Sequence, residues 1–344
     1  MASTDILVSH QNLERFVTDV FRTKGMRDDD AAVAADVLVW AELRGIPSHG
    51  VARLPRYMGA IERGRFDLTA CPEIKKLAAS AFLLNCAYAS GAVTMMRATA
   101  EAVKIAESNG IAVGLVRQTT HTGAIGRYAE WAAERGCASI IISVGIPAMA
   151  YTGARVPSVA TAPIAIGVPG DTRGPIVLDM ATATVAMGRI RQALTEGKSI
   201  PEGWALDSDG KPTVDPAKAE TVLPLGGPKG AGLALMFEFL TAALGADLTL
   251  SPKRREQNAM VIAINVTTFR PLADFTADVG GLADLIKGLP RLDGVDEILL
   301  PGERSKRTVS QRRAAGIPIA AKTWKQLGTL ADALGLTLPK IQGR

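Results

Sequence analysis

Only three histidines occur in 344 residues, and one of them, His49, sits in RGIPSHGVARLPRYM (44–58) beside Ser48 and four residues before Arg53. If a helix begins near Gly50, the imidazole stands just outside its N-terminus and Arg53 projects one turn further along a neighbouring face. The Ser48 hydroxyl can hold one ring nitrogen and so fix the tautomer and direction of the other. A proton donor or acceptor beside a guanidinium that grips a carboxylate through two bonds is the chemistry this spacing offers. The structural alternative is a histidine spent on a helix cap or a satisfied core polar group. Serine hydrolysis fits less well, because there is no GxSxG elbow and adjacent residues seldom have the geometry of nucleophile and base.

His121, in HTGAIGRYAEW (121–131), precedes a helix start rich in small residues, which suits a ligand lying against backbone; a capping histidine reads equally well. His10 belongs to an exposed-looking N-terminal segment and is assigned to the surface. Asp179, in LDMAT (178–182), ends a strand, the place where α/β proteins display functional groups, although it could equally cap the helix that follows. GGPKGAG (226–232) opens a helix. Its glycines would let backbone amides approach an anion, the helix end adds partial positive charge and Lys229 a full one; a glycine-rich turn in a crowded place is the other reading. Two standard nucleotide fingerprints are missing. No GxGxxG occurs, and EGKS (196–199) has Gln192 where a phosphate loop needs its first glycine. Together these residues point to acid–base chemistry on a small anion.

The elements that must position these groups follow from periodicity. LERFVTDVFRTKG (13–25) carries apolar residues at helical spacing and stops at Gly25, and Asp28–Asp30 open a second helix that runs to Gly45. A third is expected from Val51, Leu54, Tyr57, Met58 and Ile61. From about Cys71 to Met187 helices alternate with short β-rich runs, which is α/β texture. Residues 156–170 read as a loop, 197–220 as a long excursion with little periodicity, and 226–246 as an apolar helix. The C-terminal third holds a strand at 259–266, an amphipathic helix near 272–289 and helices near 303–315 and 323–335.

Bulk composition narrows the function classes. A chain of this length buries a sizeable core, 47% of its residues are hydrophobic, and aromatics are scarce at 5%. The net charge of +5 is scattered apart from the run Arg304–Arg307, better suited to small anions than to nucleic acid. Three cysteines without zinc-like spacing argue against a disulfide framework or a metal cluster and for a reducing, cytoplasmic setting. No leader pattern and no run of eighteen apolar residues points to a membrane.

Taken in order, ELRGIPSHGVARLPRY, HTGAIGRYA, ATAPIAIGVPG, LDMATATVAMGRI, GKSIPEGWALDSDGKPTVDP, LPLGGPKGAGLALM and PGER…RRAAGIPI resemble the landmarks of the malate/L-lactate dehydrogenase family of the second type, from about residue 10 to 320. That family includes ureidoglycolate dehydrogenase, diketogulonate reductase, sulfolactate dehydrogenase and piperideine-2-carboxylate reductase. The resemblance implies a non-Rossmann nicotinamide-binding fold of α/β (α+β-like) class: a largely antiparallel seven-stranded sheet wrapped by helices, with an N-terminal helical cap. It implies a cap at 1–70 packed with helices at about 303–344, and a cofactor-binding core at 71–302 with a helical insertion at about 183–250. It also implies a homodimer with active sites at the subunit interface.

The activity so implied is hydride transfer between NAD or NADP and a small 2-hydroxy or 2-oxo acid of malate, lactate, sulfolactate or ureidoglycolate type. The alternatives are reduction of a cyclic imino acid such as piperideine-2-carboxylate, and a catalytically idle nucleotide-binding protein. Carried over by motif, His49 exchanges the proton, Ser48 orients it, His121 is a second acid–base candidate, and Arg53 and Thr161 contact substrate. The cofactor is expected along His121, Thr122, Gly123, Ala124 and Ile125, along Asp179, Met180 and Ala181, at Lys229 and Gly230, and at Gly302, Glu303, Arg304 and Arg307. The chain departs from the family in carrying Arg189 where the piperideine-2-carboxylate branch has an acid, which points away from the imine and offers an extra contact for a dicarboxylate or sulfonate. Pro228 and Ala231 in the glycine-rich turn, and ATAP in place of GTNP, are further departures.

Overall fold

The computed structural model describes residues 5–245 and 257–342. The last residue of the predicted 226–246 helix, the end of the 183–250 insertion and the extreme termini lie outside them. Strand β1 (Ile6–Val8) leads into helix α1 (His10–Thr23), whose N-cap Ser9 accepts a bond from the Asn12 N–H. His10 therefore begins a helix and is half-buried, not part of an exposed segment. Helix α2 (Asp28–Leu43) has acids in its first turn and buries residues on every side, as a helix apolar all round must. It ends in a Schellman motif: the N–H of left-handed Gly45 donates to the Glu42 carbonyl and that of Ile46 to the Ala41 carbonyl. Two short 3-10 turns, Pro47–His49 and Val51–Arg53, then precede helix α3 (Leu54–Glu62), so the α-helix starts four residues later than the spacing predicts.

Strands β2 (Glu73–Ala78) and β3 (Ala81–Asn85), helix α4 (Gly91–Asn109), strand β4 (Ile111–Thr119), helix α5 (Gly126–Ala133) and strand β5 (Cys137–Val144) follow. After two short strands, β6 (Met149–Ala150) and β7 (Pro157–Val159), come β8 (Ile164–Val168), β9 (Ile176–Met180) and helix α6 (Met187–Glu196). The 197–220 excursion contains β10 (Ala205–Leu206) and β11 (Pro212–Thr213), with β12 (Thr221–Val222) just after it; together with β6 and β7 these form a second, five-stranded sheet. Helix α7 (Pro228–Glu238) continues as a π turn, and β13 (Gln257–Asn265), α8 (Leu272–Lys287), α9 (Glu303–Ala315), β14 (Ile317–Ile319) and α10 (Ala321–Leu334) complete the chain.

The main sheet has seven strands in the order β2-β3-β4-β13-β5-β8-β9. It is mixed and largely antiparallel. The one parallel pair, β3 with β4, is joined by α4 as a βαβ crossover. Its central strands are apolar on both faces because both are covered. Ala259, Val261 and Ala263 of β13 pack with α4 and α5, while Met260 and Ile262 face the cluster shared with α6, α7 and the small sheet. Gly114 is required where the Phe82 ring crosses β4, since a Cβ there would lie 2.2 Å from the ring. A third cluster joins α1, α2 and α3 to β14 and α10, and β1 pairs antiparallel with β14. Among the described residues no helix is long and apolar enough to cross a membrane.

Candidate active site

The Schellman end of α2 turns the chain so that the two 3-10 turns carry Ser48, His49 and Arg53 against the segment between β4 and α5. Ser48 Oγ lies 3.1 Å from His49 Nδ1, within reach to hold that ring nitrogen and orient the other. Among the described residues no acid pairs with the other side of that ring; its stacked neighbour is His121, centroid to centroid 5.5 Å and 25° from parallel. Arg53 Nε donates to the Ser48 carbonyl at 2.5 Å, which folds the guanidinium back over the same turn.

His121 stands in an irregular stretch five residues ahead of α5, not at its first turn, because Gly123 takes φ +71° and delays the helix. A Cβ on Gly123 would also meet Val37 at 2.8 Å. Two donors converge on His121 Nδ1: the Gly123 N–H at 3.2 Å and the Tyr57 hydroxyl at 2.8 Å. A backbone N–H can only donate, so Nδ1 is unprotonated and the ring proton sits on Nε2. Tyr57 was not singled out from the sequence, although it follows Arg53 by four residues and so shares its helical face.

Burial sets the charge of the site. It is the main cause that lowers His49 to about 4, with the Arg53 charge adding to it. Burial likewise pushes His121 well below its ordinary value, helped by Arg53, His49 and Arg56. Both rings are neutral at pH 7. Burial pushes the Tyr57 hydroxyl up to about 12 and lowers Arg53, on which the charges of Arg56 and Arg191 also bear.

The other predicted residues gather in two linked groups. Asp179 Oδ2 accepts the Gly126 N–H at 2.8 Å, directly after Ala124 and Ile125, and crowding by protein atoms pushes its carboxyl up even though part of the residue is exposed. Arg44, the C-cap residue of α2, pairs with Glu130 of α5, stacks on Trp40 at 4.5 Å and donates to Ser305 Oγ at 2.9 Å, tying the first turn of α9 to this group. Beside that turn a cavity of about 260 Å³ is lined by Ile176, Val279, Leu300, Glu303, Lys306 and Arg307. Glu303 and Arg307 are already committed to a network with Lys287 and Glu297, whereas the exposed Arg304 has no side-chain partner among the described residues.

In the second group, Thr182 donates to the Thr161 carbonyl through both its N–H and its hydroxyl, just past Met180 and Ala181. Gly230 packs so closely on the Thr182 carbonyl that a Cβ would lie 2.4 Å away, so this glycine serves helix-to-strand contact. Lys229 beside it is exposed. Gly188 touches Ser48, where a Cβ would meet the serine Cβ at 2.7 Å, and so brings the start of α6 to the site. Arg189 next to it is exposed with no side-chain partner among the described residues; Arg191, one turn beyond Gly188, is the α6 cation whose charge reaches Arg53.

A family model described as Malate/L-lactate dehydrogenase matches residues 8–328. The chain belongs to the malate/L-lactate dehydrogenase family. By that membership it is an oxidoreductase, a dehydrogenase of hydroxy acids. The chain is 36% identical to the L-sulfolactate dehydrogenase of Methanocaldococcus jannaschii over 97% of its own length and 98% of that protein. It is 34% identical to the malate dehydrogenase of Pyrococcus abyssi over 96% of each chain. The crystal structure of malate dehydrogenase from Entamoeba histolytica superimposes with a TM-score of 0.92 at 27% identity, covering 98% of this chain and all of that one. Family membership and the seven-stranded sheet agree with the resemblance carried by the motifs.

Proposed function

We propose that this protein interconverts a 2-hydroxy acid and its 2-oxo acid with NAD or NADP, and that it favours acids bearing a second anionic group. The observation that carries the reading is the convergence of Ser48, His49, Arg53 and His121 in one half-buried site. Arg53 spends Nε on the Ser48 carbonyl, and its terminal nitrogens are the ones left to fork onto a carboxylate. His49, neutral and oriented by Ser48, takes the hydroxyl proton in oxidation and returns it to the alkoxide oxygen in reduction. A carboxylate on Arg53 offsets the cation that depresses both imidazoles, so substrate arrival itself makes His49 a better base. His121, with Nδ1 locked by Tyr57 and Gly123, presents an Nε2–H donor.

A nicotinamide cofactor supplies the hydride acceptor or donor. The cavity beside α9 is smaller than the ~300–1,000 Å³ of a whole ligand pocket, so it suits one end of a dinucleotide. Its apolar wall of Ile176, Val279 and Leu300 and its cation Lys306 fit a nucleoside with an attached phosphate. Asp179, which accepts the Gly126 N–H, and the neighbouring residues 121–125 would hold the remainder.

The preference for a second anionic group rests on Arg56 and Arg191, whose charges bear on Arg53, and on relatives named for malate and sulfolactate, each of which carries two acid groups. A homodimer is part of the same reading. Leu233, Met236, Leu240 and Leu244 form an exposed apolar row along α7 and its π turn, the element that begins with Lys229 and Gly230. The test is nicotinamide absorbance with NADH and NADPH against pyruvate, oxaloacetate, sulfopyruvate and piperideine-2-carboxylate. Oxaloacetate or sulfopyruvate should exceed pyruvate at least about tenfold in kcat/KM, the effect of one additional charge-assisted contact. Absence of turnover with every 2-oxo acid overturns the reading.

A further inference from the structure

Glu42 is 2% exposed and takes no part in the chemistry above. It occupies the last turn of α2, and its Oε1 accepts the Val51 N–H at 2.9 Å, on the far side of the turn that carries His49. The same side chain fills the space beside Gly50: a Cβ there would lie 2.1 Å from Oε1, 2.5 Å from Cδ and 2.7 Å from Cγ. Gly50 has φ −94°, so any residue could adopt its backbone; the glycine is demanded by Glu42 and not by conformation. From the third side Arg312 of α9 donates to the Glu42 carbonyl oxygen.

We propose that Glu42 is the positioning residue for the proton-exchanging histidine, its carboxyl fixing the Gly50–Val51 turn so that His49 stacks on His121. The alternative, that Glu42 tunes His49 by charge, does not fit, because the causes that shift His49 are burial and Arg53. Glu42 acts through the backbone it grips. The charged and polar groups around it are the Val51 N–H from the catalytic turn and Arg312 from α9. This inference rests on the reading of His49 as the acid–base group.

The experiment compares full-length Glu42→Ala, Glu42→Gln, Gly50→Ala and the Glu42→Ala/Gly50→Ala double variant for oxo-acid reduction, nicotinamide binding, melting temperature and histidine NMR titration. Glu42→Ala should lose at least about tenfold in kcat, while KM and nicotinamide affinity stay within about threefold, the pattern of a displaced catalytic group. Glu42→Gln keeps the acceptor oxygen and should recover to within about threefold of wild type. Gly50→Ala should melt far below wild type, and the double variant should melt above Gly50→Ala, because removing the Glu42 side chain vacates the space the methyl needs. His49 should titrate closer to 6.5 in Glu42→Ala than its wild-type value of about 4, as water reaches the freed ring. Wild-type kcat in a folded Glu42→Ala, additive melting shifts, or an unmoved His49 titration would each overturn the proposal. If the wild-type protein turns over no 2-oxo acid, the dehydrogenase reading falls on its own, and the titration and melting cycle still decide the role of Glu42.

Discussion

The imidazoles of His49 and His121 stack 5.5 Å apart, each held by its own hydroxyl, Ser48 for one and Tyr57 for the other. The two rings therefore have separate supports and separable roles. Removing the His49 ring should cost kcat about a thousandfold, within the range of general acid–base contributions. Nicotinamide affinity, read by fluorescence titration, should not change. Equal loss of both would move His49 from proton transfer to cofactor binding.

The pH profile distinguishes a depressed histidine from an ordinary one. Oxidation needs His49 neutral, and its value of about 4 keeps it so far into the acid range. The kcat/KM for hydroxy-acid oxidation should stay level from about pH 8 to about pH 5 and decline only below that. A fall centred near 6.5 would mean that the free enzyme exposes the ring to water.

Arg53→Met should raise KM for the oxo acid by about a hundredfold, the scale of a lost charge-assisted fork. Arg53→Lys should restore little, since an ammonium reproduces neither the planar pair nor the Nε bond to the Ser48 carbonyl. An unchanged KM in Arg53→Met would assign the carboxylate to Arg56 or Arg191 instead.

Tyr57→Phe leaves the Gly123 N–H on His121 Nδ1 and removes the hydroxyl. The neutral ring loses one stabilising donor, so the His121 pKa should rise, and kcat should fall about tenfold with the fold intact. NMR titration of the three histidines checks the direction; a downward shift would contradict the tautomer assigned here.

Buried titratable groups oppose one another in stability. His49 and His121 bind protons more readily unfolded, so below 6.5 they make stability fall as pH falls. Glu42, raised from 4.5 to about 7 chiefly by burial, binds its proton more readily folded, so between those values it makes stability fall as pH rises. Glu42→Gln removes the opposing slope. Between about pH 5 and 6.5 the variant should lose stability on acidification more steeply than wild type, by up to ~1.4 kcal/mol per pH unit. Denaturant midpoints across that range measure it, and parallel curves would show that Glu42 does not change protonation on folding.

Much of this architecture could be read from spacing. The helices from Leu13 onward, the small-residue segment after His121, and the strand at 259–266 all carry regular apolar patterns, and the neighbourhood of Ser48, His49 and Arg53 needs only sequence adjacency. What escaped was set by distant contacts. β2 drew no assignment because it is an exposed edge strand carrying Lys75 and Lys76, charges that discourage pairing with another chain. β8 lies inside a proline-punctuated run read as loop, and strands of two residues such as Ala205–Leu206 are too short to show alternation. Tyr57 and Glu42 owe their roles to His121 and Gly50, and a partner 64 residues away leaves no local mark. Arg189 drew notice for its charge, but only the contact of Gly188 with Ser48 shows which face of α6 looks inward.

The pairing of β1 with β14 has a biosynthetic consequence. Ile6 to Val8 leave the ribosome well before Ile317 to Ile319 and wait for them, so the helical layer that carries His49 closes only after every strand of the central sheet has been made. A nascent chain in which β13 has been made and β14 has not would thus hold every strand of the central sheet while its proton-handling loop stayed unlatched.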